Sequence, residues 1–516
     1  MYALLNSFGL SGLQGFGVAV EADVSSGMDG FTLVGLPDTA VRESADRIRA
    51  AARNLKYRWP SGRVTANLAP ADVRKTGPVY DLPLLLAVLA AAGQIPTPPR
   101  DAAFLGEVAL DGSLRPVTGA LPMALTAAEQ GFRALYLPAA NAAEAAEACS
   151  GAGLQVYPAR CVTDVVEALA GRAPIRPAQA PPFDPDQHWD AYPDFADVLG
   201  QAAARRAMGV AAAGGHNILL IGAPGTGKSM LAKRLPGILP PMTREESIET
   251  SKIYSVVGLL PRDAGLISAR PFRSPHHSAS PAALAGGGST FRPGECSLAN
   301  AGVLFLDELP EFPRESLEVL RQPMEDGRIT ISRAAGSATY PSRFQLVAAM
   351  NPCKCGYFGH PTRRCTCSLN AVWHYRSRIS GPLLDRIDLC VEMDPVSFNE
   401  LHGTGQSETS AQLRQQVLAA RAIQTRRFAR HGCQGVHCNA QLTAGQVRQL
   451  CRLTPGAQQV LRTAYDRLGL SARSHDRLLR VARTIADLAG TESIQEEALL
   501  EALQYRMQNK LEGGLL

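Results

Sequence analysis

The sequence predicts an α/β fold: a parallel-sheet module with a phosphate-binding loop, continued by a helical C-terminal region and preceded by a mixed α+β domain. Three observations carry this prediction. The runs "NILLIG" (217–222), "GVLFLDE" (302–308) and "FQLVAAMNP" (344–352) are apolar throughout rather than alternating, the mark of strands buried on both faces of a parallel sheet. "GAPGTGKS" (222–229) follows the first run and precedes the helical "SMLAKRLPGIL". From about Glu400 onward the apolar spacing is helical, ending in "RLLRVARTIADLAG" and "IQEEALLEALQYRM".

Four segments follow from these patterns. Residues 1–171 mix strand-like "FTLVGLP", helix-like "DTAVRESADRIRAAARNLK" with an Asp at the cap, and "RALYLPAANAAEAAEAC", a strand, turn and helix. Residues 172–195 are proline-rich without apolar periodicity and read as a linker. Residues 196–400 form the α/β core, and 401–516 the helical domain.

With 516 residues the chain can hold two or three domains with full cores. Its start, "MYALLNSFGLSGLQGFGV", has no basic segment or sustained apolar stretch, so no signal peptide is expected. The longest aliphatic run, "LPLLLAVLAAAG" (82–93), is too short to cross a bilayer and reads as a core helix. The expectation is a cytoplasmic protein without a membrane partner. Eleven cysteines in a reducing compartment should then be free thiols or metal ligands. A net charge of +5 is too weak to argue for nucleic acid by itself. Arginines crowd the region after Gln412, where a solvated helix surface and a polyanion-facing one both fit.

The loop Gly222, Ala223, Pro224, Gly225, Thr226, Gly227, Lys228, Ser229 satisfies G-x-x-x-x-G-K-[ST] between a strand and a helix. Its glycines let backbone N–H groups wrap phosphates. Lys228 neutralises the β- and γ-phosphates of ATP, and Ser229 can ligate Mg²⁺. The second apolar run ends in Asp307, placed to hold Mg²⁺, and Glu308, placed to orient the attacking water. Asn351, ending the third, can position the same water. In "RISGPLLDRIDL", Arg386, with Arg378 second, suits the γ-phosphate of a neighbouring subunit; an ion-paired arginine is the plainer alternative.

These motifs together resemble the AAA+ ATPases of the branch that holds the magnesium-chelatase ATPase subunit and the MCM helicases. "GLPDTAVRES", "RPFRSPHHSAS", "GVLFLDELPEF", "NPCKCGYFG" and "LSARSHDRLLRVARTIADL" resemble the ComM/YifB family more closely. That resemblance implies an AAA+ module with a helical lid, a homo-hexameric ring, and ATP-driven branch migration of DNA in natural transformation. It also makes Asn351 sensor 1 and Arg473 sensor 2, with Arg477 the alternative. Related rings carry a helix-2 insert and a hairpin before sensor 1. Here "GRITISRAAGSATYPSRF" (327–344) reads as the hairpin, with Arg333 near its tip as the first DNA candidate and Arg270, Arg273 and His277 behind it. A chelatase-type subunit acting on a porphyrin and an ATPase that remodels a protein partner are the competing readings.

Residues 106–138 resemble the Lon protease domain. Lon-type cleavage needs a serine activated by a lysine, and the matching positions hold Val79 and Leu121. The expectation is a Lon-like, non-proteolytic domain.

"NPCKCGYFGHPTRRCTCS" (351–368) places Cys353, Cys355, Cys365 and Cys367 beside the sensor asparagine. They can supply four thiolates to one structural Zn²⁺, with His360 as a substitute ligand. Plain reduced thiols and a redox switch are the alternatives. Cys433 and Cys438 are assigned to no site.

Overall fold

The computed structural model describes residues 1–180, 183–186, 189–261, 265–288, 291–333, 336–396, 398, 400 and 407–507. Two compact units form, and they divide the chain differently from the four sequence segments. The first holds Met1–Asp184, Thr243–Ser268 and Ser332–Tyr340; the second holds Pro185–Met242, Ala269–Ile331 and the chain from Pro341 onward.

In the first unit, seven strands make one sheet: β1 (Tyr2–Ser11), β2 (Gln14–Ser25), β3 (Gly30–Val34), β4 (Arg63–Ala69), β5 (Ala102–Phe104), β8 (Ala134–Pro138) and β9 (Gln155–Ala159). Their order is β3-β4-β2-β1-β5-β8-β9. β6 (Glu107–Val108) and β7 (Leu114–Arg115) form a separate ribbon. Within the seven-stranded sheet the β1–β2 hairpin and the β2–β4 pair are antiparallel and the other pairs parallel; the β6–β7 ribbon is antiparallel. The helix Asp81–Ala91 is apolar on nearly every side and almost wholly buried, as its composition requires. Asp38 caps a helix by accepting from Val41 N at 2.8 Å, but that helix ends at Arg42 and a second one runs Ser44–Asn54. Val79 and Leu121 are both buried among apolar side chains.

Residues 243–268 lie between the phosphate loop and Asp307 in sequence, yet they pack on this unit. Thr243 and Glu246 form a capping box that starts the helix Arg244–Val257. Ser255 Oγ donates to Glu144 at 2.6 Å, and Glu147 accepts from Leu266 N at 2.7 Å. Burial pushes both carboxyls above the usual carboxylate range, as it does Asp81.

Among the described residues of the linker, several are held by specific contacts. Ala178 N donates to Val156 O at 2.8 Å in the first unit. Within the second unit, the Arg414 guanidinium stacks 3.8 Å from the Trp189 ring centroid, and Phe195 is fully buried.

The second unit is built on five parallel strands: β10 (Ile218–Gly222), β11 (Phe272–Arg273), β14 (Val303–Leu306), β17 (Gln345–Met350) and β18 (Leu389–Met393), in the order β11-β14-β17-β10-β18. The three apolar runs are β10, β14 and β17, buried along their whole length. A short ribbon, β12 (Gly286–Gly287) with β13 (Arg292–Pro293), belongs to this unit, whereas the hairpin β15 (Arg328–Arg333) with β16 (Gly336–Pro341) is divided, Ser332–Tyr340 belonging to the first.

The C-terminal helices are not a separate body. Val417, Leu478, Val481 and Leu499 share one core with β10 and β17. A buried polar network joins the same parts. Asp487 accepts from Arg427 through both oxygens at 2.6 Å, from Arg483 Nε at 3.1 Å and from Asn439 Nδ2 at 2.8 Å. His216, just before β10, bridges Thr484 (2.8 Å) and Asp388 (3.3 Å). Among the described residues no helix is long and apolar enough to cross a membrane.

Candidate functional site: a phosphate loop with its acids

β17 lies between β10 and β14, so their C-terminal ends deliver Asn351, the phosphate loop and Asp307 side by side. The loop turns through Gly225 (φ 83°) and Gly227 (φ 91°), backbone that glycine alone adopts readily. A side chain at Gly222 would collide with the Met393 carbonyl and the Thr226 hydroxyl. Lys228 opens the following helix, Lys228–Arg234.

Lys228 Nζ donates to Gly222 O (2.7 Å), Ala223 O (2.9 Å) and Asn351 Oδ1 (3.2 Å). Burial lowers its pKa, against the attraction of Asp307 and Glu308. The ammonium is thus held inside the loop. Ser229 Oγ donates to Asp307 Oδ2 at 2.7 Å. That pair of oxygens beside a phosphate loop suits a hard divalent cation, so the donor set fits Mg²⁺. Glu308 sits in left-handed backbone (φ 52°) with its side chain 52% exposed, and its carboxylate pairs with His277 Nδ1 at 3.1 Å. This partner went unread in the sequence; the tandem His276-His277 in "RSPHHSAS" was its only signal.

Arg386, the proposed finger, is not at this chain's own loop. Arg386 Nη2 pairs with Glu325, and the Arg386 carbonyl accepts from Asn217 Nδ2 at 3.0 Å, at the opposite end of β10. That strand runs ~13 Å from Ile218 to Gly222 at ~3.3 Å per residue. Arg477 lies at the same end, 3.7 Å from Asp388 and 3.9 Å from Asp385, and burial lowers its pKa. Arg473 is exposed on the first turn of the helix Ala472–Leu488. Arg378 pairs with Glu311 at 2.9 Å.

The DNA candidates divide. Arg270 donates to the carbonyls of Pro240, Pro241 and Ala301, and Arg273 pairs with Glu295 through two nitrogens at 2.7 and 2.8 Å. Both guanidiniums brace the fold instead of facing outward, and His277 belongs to the Glu308 site. Arg333 ends β15; its side chain lies outside the described residues.

Cys353, Cys355, Cys365 and Cys367 bring their sulfurs within 4.8 Å of one another. Backbone N–H groups of Thr366 and Tyr357 donate to Cys355 and draw its thiol down to about 5. His360 is not part of this group. Its Nδ1 instead accepts from Thr362 N and Arg363 N at 3.2 and 3.0 Å, closing a turn.

This geometry is that of a P-loop ATPase of the magnesium-chelatase type. Three family models match along the chain: "Subunit ChlI of Mg-chelatase" over 20–141, "Magnesium chelatase, subunit ChlI" over 194–401, and "Magnesium chelatase, subunit ChlI C-terminal" over 407–506. The chain is 43% identical over 515 residues to "Competence protein ComM" of Haemophilus influenzae, covering 99% of this chain and 98% of that one. It is 42% identical over 502 residues to YifB of Escherichia coli, covering 96% and 95%. The magnesium-chelatase 38 kDa subunit of Rhodobacter capsulatus is 27% identical over 177 residues, 31% of this chain and 50% of that one. The chain belongs to the ComM/YifB family of magnesium-chelatase-like AAA+ proteins.

Proposed function

We propose that this protein is an ATP-driven ring motor that moves branched DNA during recombination of incoming strands. Near-full-length similarity to a protein named for competence carries the reading, because it spans the N-terminal unit as well as the ATPase. Bound Mg·ATP supplies an electrophilic γ-phosphate and charge neutralisation. The chain's residues do the rest. Lys228 and the loop amides hold the phosphates, Ser229 and Asp307 hold the cation, and Glu308 with Asn351 aligns the attacking water.

Arg386 serves the site of an adjacent copy. Its place at the far end of β10 from its own phosphate loop supports this, since such a residue reaches a γ-phosphate only across a subunit boundary. Turnover then depends on assembly, and a hexamer closes the ring. The N-terminal unit acts as a non-proteolytic organiser or DNA-facing domain, and Arg333 tracks the DNA backbone.

A chelatase-type role is the second reading, favoured by the three magnesium-chelatase family models. ATP turnover measured with four-way DNA junctions, with duplex DNA and with porphyrin separates the two. Stimulation by junctions supports the motor; stimulation by porphyrin alone refutes it.

A further inference from the structure

The cysteine loop does more than sit near the nucleotide site. Gly356, the residue after Cys355, is buried in left-handed backbone (φ 86°), and its N–H donates to Cys353 O at 2.9 Å. A Cβ there would lie 2.6 Å from Pro224 Cδ and 2.9 Å from Pro224 Cγ. The tight turn between the first two cysteines is therefore seated directly on the proline of the phosphate loop. Two residues before Cys353, Asn351 accepts from Lys228. Arg376 donates to Pro352 O at 3.0 Å from outside and stacks over Phe358 at 5.2 Å, clamping the same segment.

The sulfurs are arranged for one metal. Cys353, Cys355 and Cys365 are separated by 3.3, 3.5 and 3.6 Å, close to the ~3.8 Å expected for thiolates each ~2.3 Å from one zinc. Backbone N–H groups point at the sulfurs: Thr366 and Tyr357 at Cys355, Cys367 at Cys365, and Cys355 at Cys367. Zn²⁺ with four thiolates carries two net negative charges; Lys354, Arg363 and Arg364 belong to the same loop, and the Arg376 guanidinium acts electrostatically on Cys353.

We propose that Cys353, Cys355, Cys365 and Cys367 bind one Zn²⁺, and that this closed metal knot holds the phosphate loop through the Gly356–Pro224 contact. Four sulfur ligands leave no open position, so the metal takes no part in hydrolysis. The coupling half of this proposal rests on reading Gly222–Ser229 as the nucleotide site.

The test uses the full chain purified without chelator. Metal analysis should find one zinc per chain, lost when Cys355→Ser and Cys365→Ser are combined. Cobalt exchanged into the protein should show the absorption of a tetrahedral tetrathiolate centre. Zinc displaced by a mercurial and then restored with thiol and Zn²⁺ should lower and then recover the affinity for a fluorescent ATP analogue, by roughly tenfold. Gly356→Ala separates the knot from folding: it should keep its zinc and its circular dichroism yet bind nucleotide more weakly. Zinc-free protein as purified would overturn the site. Zinc present, with nucleotide affinity unmoved by its removal and by Gly356→Ala, would overturn the brace. Zinc-loaded protein that binds no nucleotide would overturn the ATPase reading and the brace, leaving the metal site standing.

Discussion

Glu308 Oε2 lies 3.1 Å from His277 Nδ1, which ties the proposed water-orienting carboxylate to a residue outside the phosphate loop. Position 277 follows β11, the strand paired to β14, so the histidine reaches across the sheet end to an acid in left-handed backbone. General-base groups contribute about 10²–10⁴ in rate, and a misaimed one loses part of that. His277→Ala should lower kcat roughly tenfold with KM for ATP nearly unchanged, and His277→Asn should restore much of it. An equal loss in both variants, with KM raised, would make His277 a structural residue only.

Arg386 is placed away from its own phosphate loop, so its loss should be complemented between chains. Arg386→Ala should bind ATP normally and hydrolyse it about 10³-fold more slowly. Mixing it with Lys228→Ala protein should recover activity, because some sites then pair an intact loop with an intact arginine. Absence of recovery in confirmed mixed assemblies would count against the shared site.

The first unit buries Asp81, Glu144 and Glu147, all with pKa values raised by burial. The native state therefore binds more protons than the unfolded chain. Stability should increase as pH falls from neutral through the raised folded pKa values, levelling off below the unfolded ones. Thermal denaturation from pH 7.5 down to 5.5 reads this directly. Glu144→Gln with Glu147→Gln should flatten the curve.

Asp487 is fully enclosed by Arg427, Arg483 and Asn439. Asp487→Ala leaves the buried Arg483 guanidinium and the partly buried Arg427 without their carboxylate and should cost about 3–5 kcal/mol. Chemical denaturation should show this in the second unit, with the first unit's transition unmoved.

The sequence made the parallel strands legible because burial on both faces removes alternation, as in β10, β14 and β17. The phosphate loop and Asp307 were legible because their chemistry is local and contiguous. Allegiance of the helix Arg244–Val257 was not: the capping box at Thr243 marks where a helix starts, not which core receives it. Nor was the role of Arg270, whose partners are backbone carbonyls that carry no residue signature. The break at Glu43 and the Glu308–His277 pair depend on tertiary neighbours in the same way.

The most direct measurement is ATP-dependent branch migration of a synthetic four-way junction, with Lys228→Ala and Glu308→Gln proteins as controls. The account predicts strand products from the unmodified protein with ATP and none from either variant. Robust ATP hydrolysis by confirmed rings without any migration would contradict it.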